Sequence, residues 1–353
     1  MFLLPFHVTS ITAGQRHGTW AETLQRVAAA RGEADVALQR HGIPGVLIAT
    51  CHRIELLTWG DADASAWITQ WLSRIGVKSA ELTVAQVSAD QAVQSLIELI
   101  AGLRSPIRGE IEIQAQVRRA WRRAHDAGAA NVELDDVVAR SLAAARRVRG
   151  VSFSANSRRS LGTEVVREVI DRSAGWWHAS KLLVVGTGDA SASVLNALQV
   201  ESSLTRVSLI GRTAQRVQEL AARYACAPCD WSTLRARIAA ADVVVFAVST
   251  PSPLIDAADI AAGDTASRRR IWVDLGVPPC AIAPRDSGAI DYVSLEDLSD
   301  DSSMLADPLA GDAQAVKREM ARFAADLERR RCRPWVGAGE YARDFVPGPR
   351  ATA

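Results

Sequence analysis

Ten residues constrain this chain more than any others: Leu182 to Ser191, LLVVGTGDAS. Aliphatic side chains in succession, without polar alternation, suit a strand covered on both faces inside a parallel sheet. Gly186-Thr187-Gly188 breaks the run, and Asp189 to Val200 has the spacing of a helix. A strand, a Gly-rich turn and a helix in that order form the opening unit of a doubly wound sheet. The texture continues, with Val207 to Ile210, Val243 to Ala247 and Ile271 to Leu275 reading as strands and Ala214 to Tyr224 as a helix.

The turn also carries chemistry. Gly186 allows a tight bend, Gly188 lets the backbone approach a pyrophosphate, and the start of the helix supplies amide donors. Gly186, Thr187, Gly188, Asp189, Ala190 and Ser191 are therefore the candidate cofactor loop, with Ser191 in the third glycine position of the fingerprint. The second strand ends at Gly211-Arg212-Thr213, where an NAD site would carry Asp or Glu for the ribose hydroxyl. Arg212, followed by Thr213 and Arg216, suits a 2′-phosphate instead, so the cofactor reading is NADPH. The plainer alternative is that Arg212 is a surface charge. Residues 156–300 are expected to form a Rossmann-like NADP-binding domain.

Residues 1–155 have a different texture. A strand (Leu3 to Ile11), a helix (Thr19 to about His41), two strands around Thr50 to Arg53 and a helix (Ala64 to Ile75) give the order β-α-β-β-α. That order suits a small antiparallel sheet with helices on one face. Trp67 and Trp71, at i and i+4, read as packing. Strand signals then fade, and Asp90 to Leu103, Glu110 to His125, Asp135 to Arg149 and Arg158 to Ser173 read as helices. Gly150 to Arg159 is polar and broken, a hinge to the next domain. Residues 301–353 hold one charged amphipathic helix, Asp312 to Arg331, and a frayed tail. The expected class is α/β: an N-terminal α+β domain, a Rossmann-like domain and a C-terminal long helix.

At Thr50-Cys51-His52-Arg53 a thiol, an imidazole and a guanidinium fall in succession between two apolar strands, Val46 to Ile48 and Ile54 to Leu57. Two readings stand for Cys51: a nucleophile with a charged substrate anchor beside it, or a free half-buried thiol among ordinary surface charges. A thiol and a bound NADPH together suggest a reaction class. A thiolate attacks an activated acyl carbon, the thioester accepts hydride, and an aldehyde leaves. Arg53 would hold a substrate carboxylate.

The remaining features bound the answer. The 353 residues carry 41 Lys and Arg against 40 Asp and Glu, a net charge of +1, and nearly all the cations are arginine. Arg118, Arg119, Arg122 and Arg123, with Arg146, Arg147 and Arg149, read as solvated helix faces paired with acids; contact with an RNA backbone is the minor alternative. Five scattered cysteines argue against a disulfide framework. Cys226-Ala-Pro-Cys229 has no second pair and reads as coincidence, and the histidines lack metal-ligand spacing, so no metal is expected. MFLLPFHVTS is interrupted by Pro5 and His7 and reads as a strand rather than a signal peptide. No run approaches the roughly 20 apolar residues of a membrane helix. The expected compartment is the cytoplasm, without a membrane partner.

Several ordered motifs together resemble one family. TCHRIE, at Thr50 to Glu55, resembles the TCNR-E motif of glutamyl-tRNA reductase, and GLRSPIRGEIEIQAQVRRAW, at Gly102 to Trp121, resembles its GLDS-GE-QI-GQVK segment. The loop at Gly186, GRTAQR and VDLGVPP resemble its NADPH domain in order and spacing. The likeness runs from about His7 to the helix near residue 330. It implies that Cys51 attacks the ester of glutamyl-tRNA and that NADPH reduces the thioester to glutamate-1-semialdehyde, the first step of five-carbon tetrapyrrole biosynthesis. It implies substrate contacts at Thr50, His52, Arg53, Ser105, Glu110, Ile111, Glu112 and Gln116, and cofactor contacts from Gly186 to Ser191 and at Arg212, Thr213 and Arg216. It also implies a homodimer, here with most of the dimerisation domain missing.

The departures cluster on the substrate side. Family Asn is His52, family Gln is Glu112, a His is Ser95, the Asp of GLDS is Arg104, and VRTET reads VRGVS. Two alternatives therefore accompany the reductase reading: a paralogue reducing another aminoacyl or peptidyl ester, and a non-catalytic regulatory relative that binds aminoacyl-tRNA.

Overall fold

The computed structural model describes residues 5–13, 20–50, 53–60, 63–78, 82–105, 109–153, 160–201, 206–248, 250, 252–256, 269–276, 279–282, 290–299 and 309–331. Strands β1 (Phe6–Ala13), β2 (Gly45–Ala49), β3 (Ile54–Trp59) and β4 (Leu82–Ser88) form an antiparallel sheet in the order β2-β3-β1-β4. Val8 lies opposite Leu57 on one side and Val87 on the other. Helices α1 (Trp20–Arg40) and α4 (Glu112–Asp126) pack on β2, while α3 (Ala89–Ala101) packs on β1 and β4. Helix α2 (Ala64–Arg74) lies against β1 and β3, and α5 (Val132–Ser152) packs on α3. Trp67 and Trp71 stack at 6.1 Å, as packing residues do.

Two expectations change here. The sequence reading had no strand between Ile75 and Ala89, yet β4 forms there as a sheet edge. Its side chains are mostly exposed, so it lacks the apolar signal that marks a half-buried strand. The break expected from Gly150 starts later, because α5 continues to Ser152; residues 154–159 lie outside the described residues.

The second unit contains β5 (Leu182–Val185), β6 (Val207–Ile210), β7 (Ala227–Cys229), β8 (Val243–Phe246), β9 (Arg270–Asp274) and β10 (Ile290–Ser294). They pair in parallel in the order β10-β9-β8-β5-β6-β7. The central strands feed two cores alternately. Val184, Val245 and Val273 join one, whereas Leu183, Val185, Val244 and Trp272 join the other. A strand buried on both faces must be apolar throughout, which is why LLVV and VVVF carry no alternation. Helices α6 (Leu161–Ser173), α7 (Asp189–Glu201), α8 (Ala214–Tyr224), α9 (Leu234–Ala240) and α10 (Leu295–Ser299) accompany the sheet.

The Cys226-Ala-Pro-Cys229 stretch ends in β7, at the sheet edge, where Pro228 removes no interior ladder bond. Both thiols are free and buried. Asp274, at the end of β9, is buried and accepts hydrogen bonds from the backbone N–H groups of Gly276, Cys280 and Ala281 and from the Tyr292 hydroxyl. Burial still raises its pKa, with those bonds opposing. The described residues that follow β9 are thus organised on one carboxylate.

Helix α11 (Leu309–Arg331) returns to the first unit, where Ala315, Val316 and Phe323 enter its core. Arg147 pairs with Glu319 at 2.8 Å, and Arg140 lies over the Phe323 ring. The tail from residue 332 onward lies outside the described residues. Among the described residues no helix is long and apolar enough to cross a membrane.

Candidate active site

In a parallel sheet the natural crevice lies at the carboxyl ends of the strands, where the chain order reverses. Here that point falls between β5 and β8, and the Gly-rich turn occupies it. Gly186 has φ of 125°, its N–H donates to Ile210 O at 2.7 Å, and a Cβ there would lie 2.2 Å from Ala247 O. Only glycine fits so close to a neighbouring backbone. A Cβ at Gly188 would meet nothing within 4 Å. One glycine is packed and the other faces open space, which is the division of labour a pyrophosphate-binding turn needs. The Ser191 side chain is fully buried, and its hydroxyl donates to Ala247 O at 3.4 Å. Ser191 supports the turn from behind rather than facing the cleft.

A cleft of about 400 Å³ opens between this turn and the first unit. Gly186 to Ala190, Gly211, Arg212 and Thr213 form one wall; Thr50, Glu110, Glu112 and Gln116 belong to the other. Candidate residues as far apart in sequence as Thr50 and Thr213 thus share one space. Arg53, Ser105, Ile111, Ser191 and Arg216 are not among its lining residues. Cys51 and His52 lie outside the described residues.

Ala49 and Ile54 pair across β2 and β3, and the Thr50 N–H donates to Arg53 O at 2.9 Å. The Thr50 hydroxyl is 3.2 Å from both Arg53 O and Arg53 N, so the ends of β2 and β3 are held together there. Arg53, expected to hold a substrate carboxylate, already has two partners within the chain. Its Nη2 donates to Arg104 O at 2.7 Å, and its Nη1 is 3.8 Å from the buried Glu55 carboxylate. Burial raises the Glu55 pKa, opposed by a 2.5 Å bond from Ser10 and by the charge of Arg53. Arg104 in turn donates to Ser95. Two departures from the family pattern therefore touch each other: a longer side chain at 104 reaches a shorter one at 95.

The GLRS segment is shaped by Gly102, which ends α3 in the left-handed region at φ 75°. A Cβ there would lie 2.8 Å from the Glu110 N, so Gly102 and Glu110 are in close contact. Arg149 ties the end of α3 to the residues before α4, donating to Ala101 O at 2.9 Å and Glu110 O at 3.4 Å. Ser105 donates to Glu110 Oε2 at 2.5 Å. Burial pushes the Glu110 carboxyl up to about 7; Ser105 opposes, while the charges of Glu112 and Asp189 push the same way.

Several arginines expected on solvated faces instead hold this architecture. Arg123 pairs with buried Asp35 at 2.5 Å and donates to Leu47 O at 2.8 Å; Arg149 serves carbonyls rather than acids. Arg119 reaches Asp189 in the cofactor loop at 2.6 Å. Glu112, seven residues before Arg119 on α4, accepts from Ser193, four residues after Asp189 on α7. Both pairs lie on single helix faces, and their order shows α4 and α7 running antiparallel along the cleft. Ser193 also accepts from the Gly162 N–H at 3.0 Å. Glu112, expected to meet substrate, thus spends one oxygen on this seam, and its other oxygen, Oε2, is buried without a protein partner. Burial raises its pKa, with the Ser193 bond opposing.

Sequence reasoning missed one wall altogether: Leu24, Gln25, Ala28 and Arg31 of α1 line the cleft. Helical periodicity identifies that face, but nothing local says what lies opposite. No group of His, Cys, Asp and Glu among the described residues is arranged to hold a metal.

Two family models match the chain. "Glutamyl-tRNAGlu reductase, N-terminal domain" covers residues 15–151, and "Shikimate / quinate 5-dehydrogenase" covers residues 168–300. The glutamyl-tRNA reductase of Thermomicrobium roseum is 32% identical over 305 residues, which is 83% of this chain and 73% of that protein. That of Deinococcus radiodurans is 28% identical over 286 residues, 78% and 79% of the two chains. Among solved structures, glutamyl-tRNA reductase from Methanopyrus kandleri aligns at 22% identity with a TM-score of 0.46, covering 93% of this chain and 81% of that one.

Proposed function

Because the chain belongs to the glutamyl-tRNA reductase family, we propose that it reduces the aminoacyl ester of glutamyl-tRNA to an aldehyde through a thioester on Cys51, with NADPH as reductant. One observation carries the reading: a single cleft is walled by the Gly-rich loop on one side and by Thr50, Glu110, Glu112 and Gln116 on the other. The residues fit a dinucleotide. Gly188 leaves open space above the turn, α7 presents its N-terminus, and the end of β6 carries Arg212 and Thr213 with no acid to repel a 2′-phosphate. NADPH, when bound, supplies the hydride.

The rest belongs to the chain. Cys51 attacks the acyl carbon; a carbon–sulfur bond forms and the ribose oxygen leaves, needing a proton. Glu110, half protonated near pH 7, is suited to give it. The thioester on Cys51 is the group that would accept that hydride, its carbon–sulfur bond breaking to return the thiolate and release the aldehyde. Arg53, braced by Glu55 and Arg104 O, fixes the start of β3 two residues after Cys51 in sequence.

The test is incubation with glutamyl-tRNA and NADPH, following NADPH loss and aldehyde together, with Cys51→Ser alongside. Stoichiometric loss of NADPH by the wild type and none by the variant is expected. Equal turnover by Cys51→Ser would sink covalent catalysis. Turnover with another charged tRNA, but not glutamyl-tRNA, would select the paralogue suggested by Glu112, Ser95 and Arg104.

A further inference from the structure

The α1 face in the cleft has a direction. Leu24 is buried, Gln25 half-buried, and Ala28 and Arg31 exposed, so the groove opens toward Arg31. At 1.5 Å per residue, Arg31 stands about 10 Å along the helix from Leu24. It shares the cleft with Gly188, Asp189, Arg212 and Thr213, all of the other unit. Among the described residues Arg31 makes no ion pair; its Nε donates to Ala28 O at 3.2 Å, leaving the other guanidinium nitrogens available. Asp189, the acid of the cofactor loop, is already engaged by Arg119 at 2.6 Å. Burial lowers the Arg31 pKa, and the charges of Arg123, Arg119 and Arg216 push the same way while Asp189 opposes. Cations gathered beside a turn built for phosphate, one of them without an ion pair among the described residues, describe a site suited to further anionic charge.

We propose that Arg31 is a phosphate-binding residue of the dinucleotide site, contributed by the N-terminal unit across the cleft to complete the cradle formed by Arg212 and the turn at Gly188. The inference rests on the NADPH reading and goes beyond it. The nucleotide-binding domain does not hold the cofactor's phosphates alone, so binding NADPH also holds the two walls of the cleft together.

The test is direct titration of the full chain with NADPH and with NADH, by calorimetry or nucleotide fluorescence, without tRNA. Wild type is compared with Arg31→Ala and with Arg31→Gln, which keeps most of the stem. Loss of one charge-assisted contact is expected to weaken NADPH binding about tenfold in both variants, with unchanged circular dichroism. A loss confined to NADPH would place Arg31 on the 2′-phosphate; an equal loss for NADH would place it on the pyrophosphate. Unchanged NADPH affinity in both variants overturns the proposal. A wild-type chain that binds neither nucleotide would remove the cofactor reading itself.

Discussion

Gly186→Ala is expected to abolish dinucleotide binding and to destabilise the second unit by about 3 kcal/mol or more. The added Cβ would lie 2.2 Å from Ala247 O and 2.9 Å from the Ser191 hydroxyl, and φ of 125° is closed to an L side chain. Relief by movement is blocked, because the turn is tied at 2.7 Å to Ile210 O and β8 is tied at 2.8 Å through Ala247 N to Val185 O. Shifting the turn therefore means breaking ladder bonds at the ends of three central strands. Gly188→Ala is the matched control. Its Cβ meets nothing, so the melting temperature should stay within a few degrees while NADPH affinity falls, because the methyl group would occupy the approach of the pyrophosphate. Thermal melts and NADPH titrations of the two variants separate the roles. Equal melting temperatures for both variants would contradict the packing described for Gly186.

The same contrast explains which parts of the structure were legible beforehand. Strands buried on both faces announce themselves, as LLVV and VVVF do, since every position must be apolar. The turn that follows is equally plain, because glycine is the residue such geometry permits. Strand β4 gave no such signal: as an exposed edge it needs only backbone pairing, and LTVAQVS looks like a loop. Strand β7 is three residues long and contains Pro228, which argues against a strand until its edge position is known. At the site, residue types were readable and relations were not. Glu112 looked like a substrate contact, yet its bond to Ser193 depends on how α4 and α7 cross, and no local pattern encodes a crossing. Arg53 was legible as a cation beside Cys51, but its bond to Arg104 O, fifty-one residues away, was not. Arg31 carried no motif at all.

Glu110→Gln is expected to lower turnover about a hundredfold, as loss of a general acid does, and to flatten the pH dependence of both activity and stability. In the folded protein the carboxyl titrates at about 7 against an ordinary 4.5, because burial disfavours its charge. The native state therefore holds this proton more tightly than the unfolded chain. The stability that this confers is fully present below pH 4.5 and is lost as pH rises through 7. The decline across that window is roughly 2 kcal/mol, after discounting for the remaining exposure of the side chain to the cleft. Glutamine is neutral at every pH, so denaturant melts of the variant should lose that part of the decline. The contributions of Glu112, Glu55 and Asp274, whose pKa values burial also raises, should remain. Activity tests the chemical role separately. If Glu110 delivers the proton to the leaving ribose oxygen, wild-type turnover falls above pH 7 as the acid form disappears, and the variant, slower throughout, shows no fall there. A variant that keeps both the wild-type rate and the fall near pH 7 would leave Glu110 a buried structural carboxyl. A variant that is less active but keeps the inflection would assign that titration to another group, with Glu112, on the same wall of the cleft, the next to test.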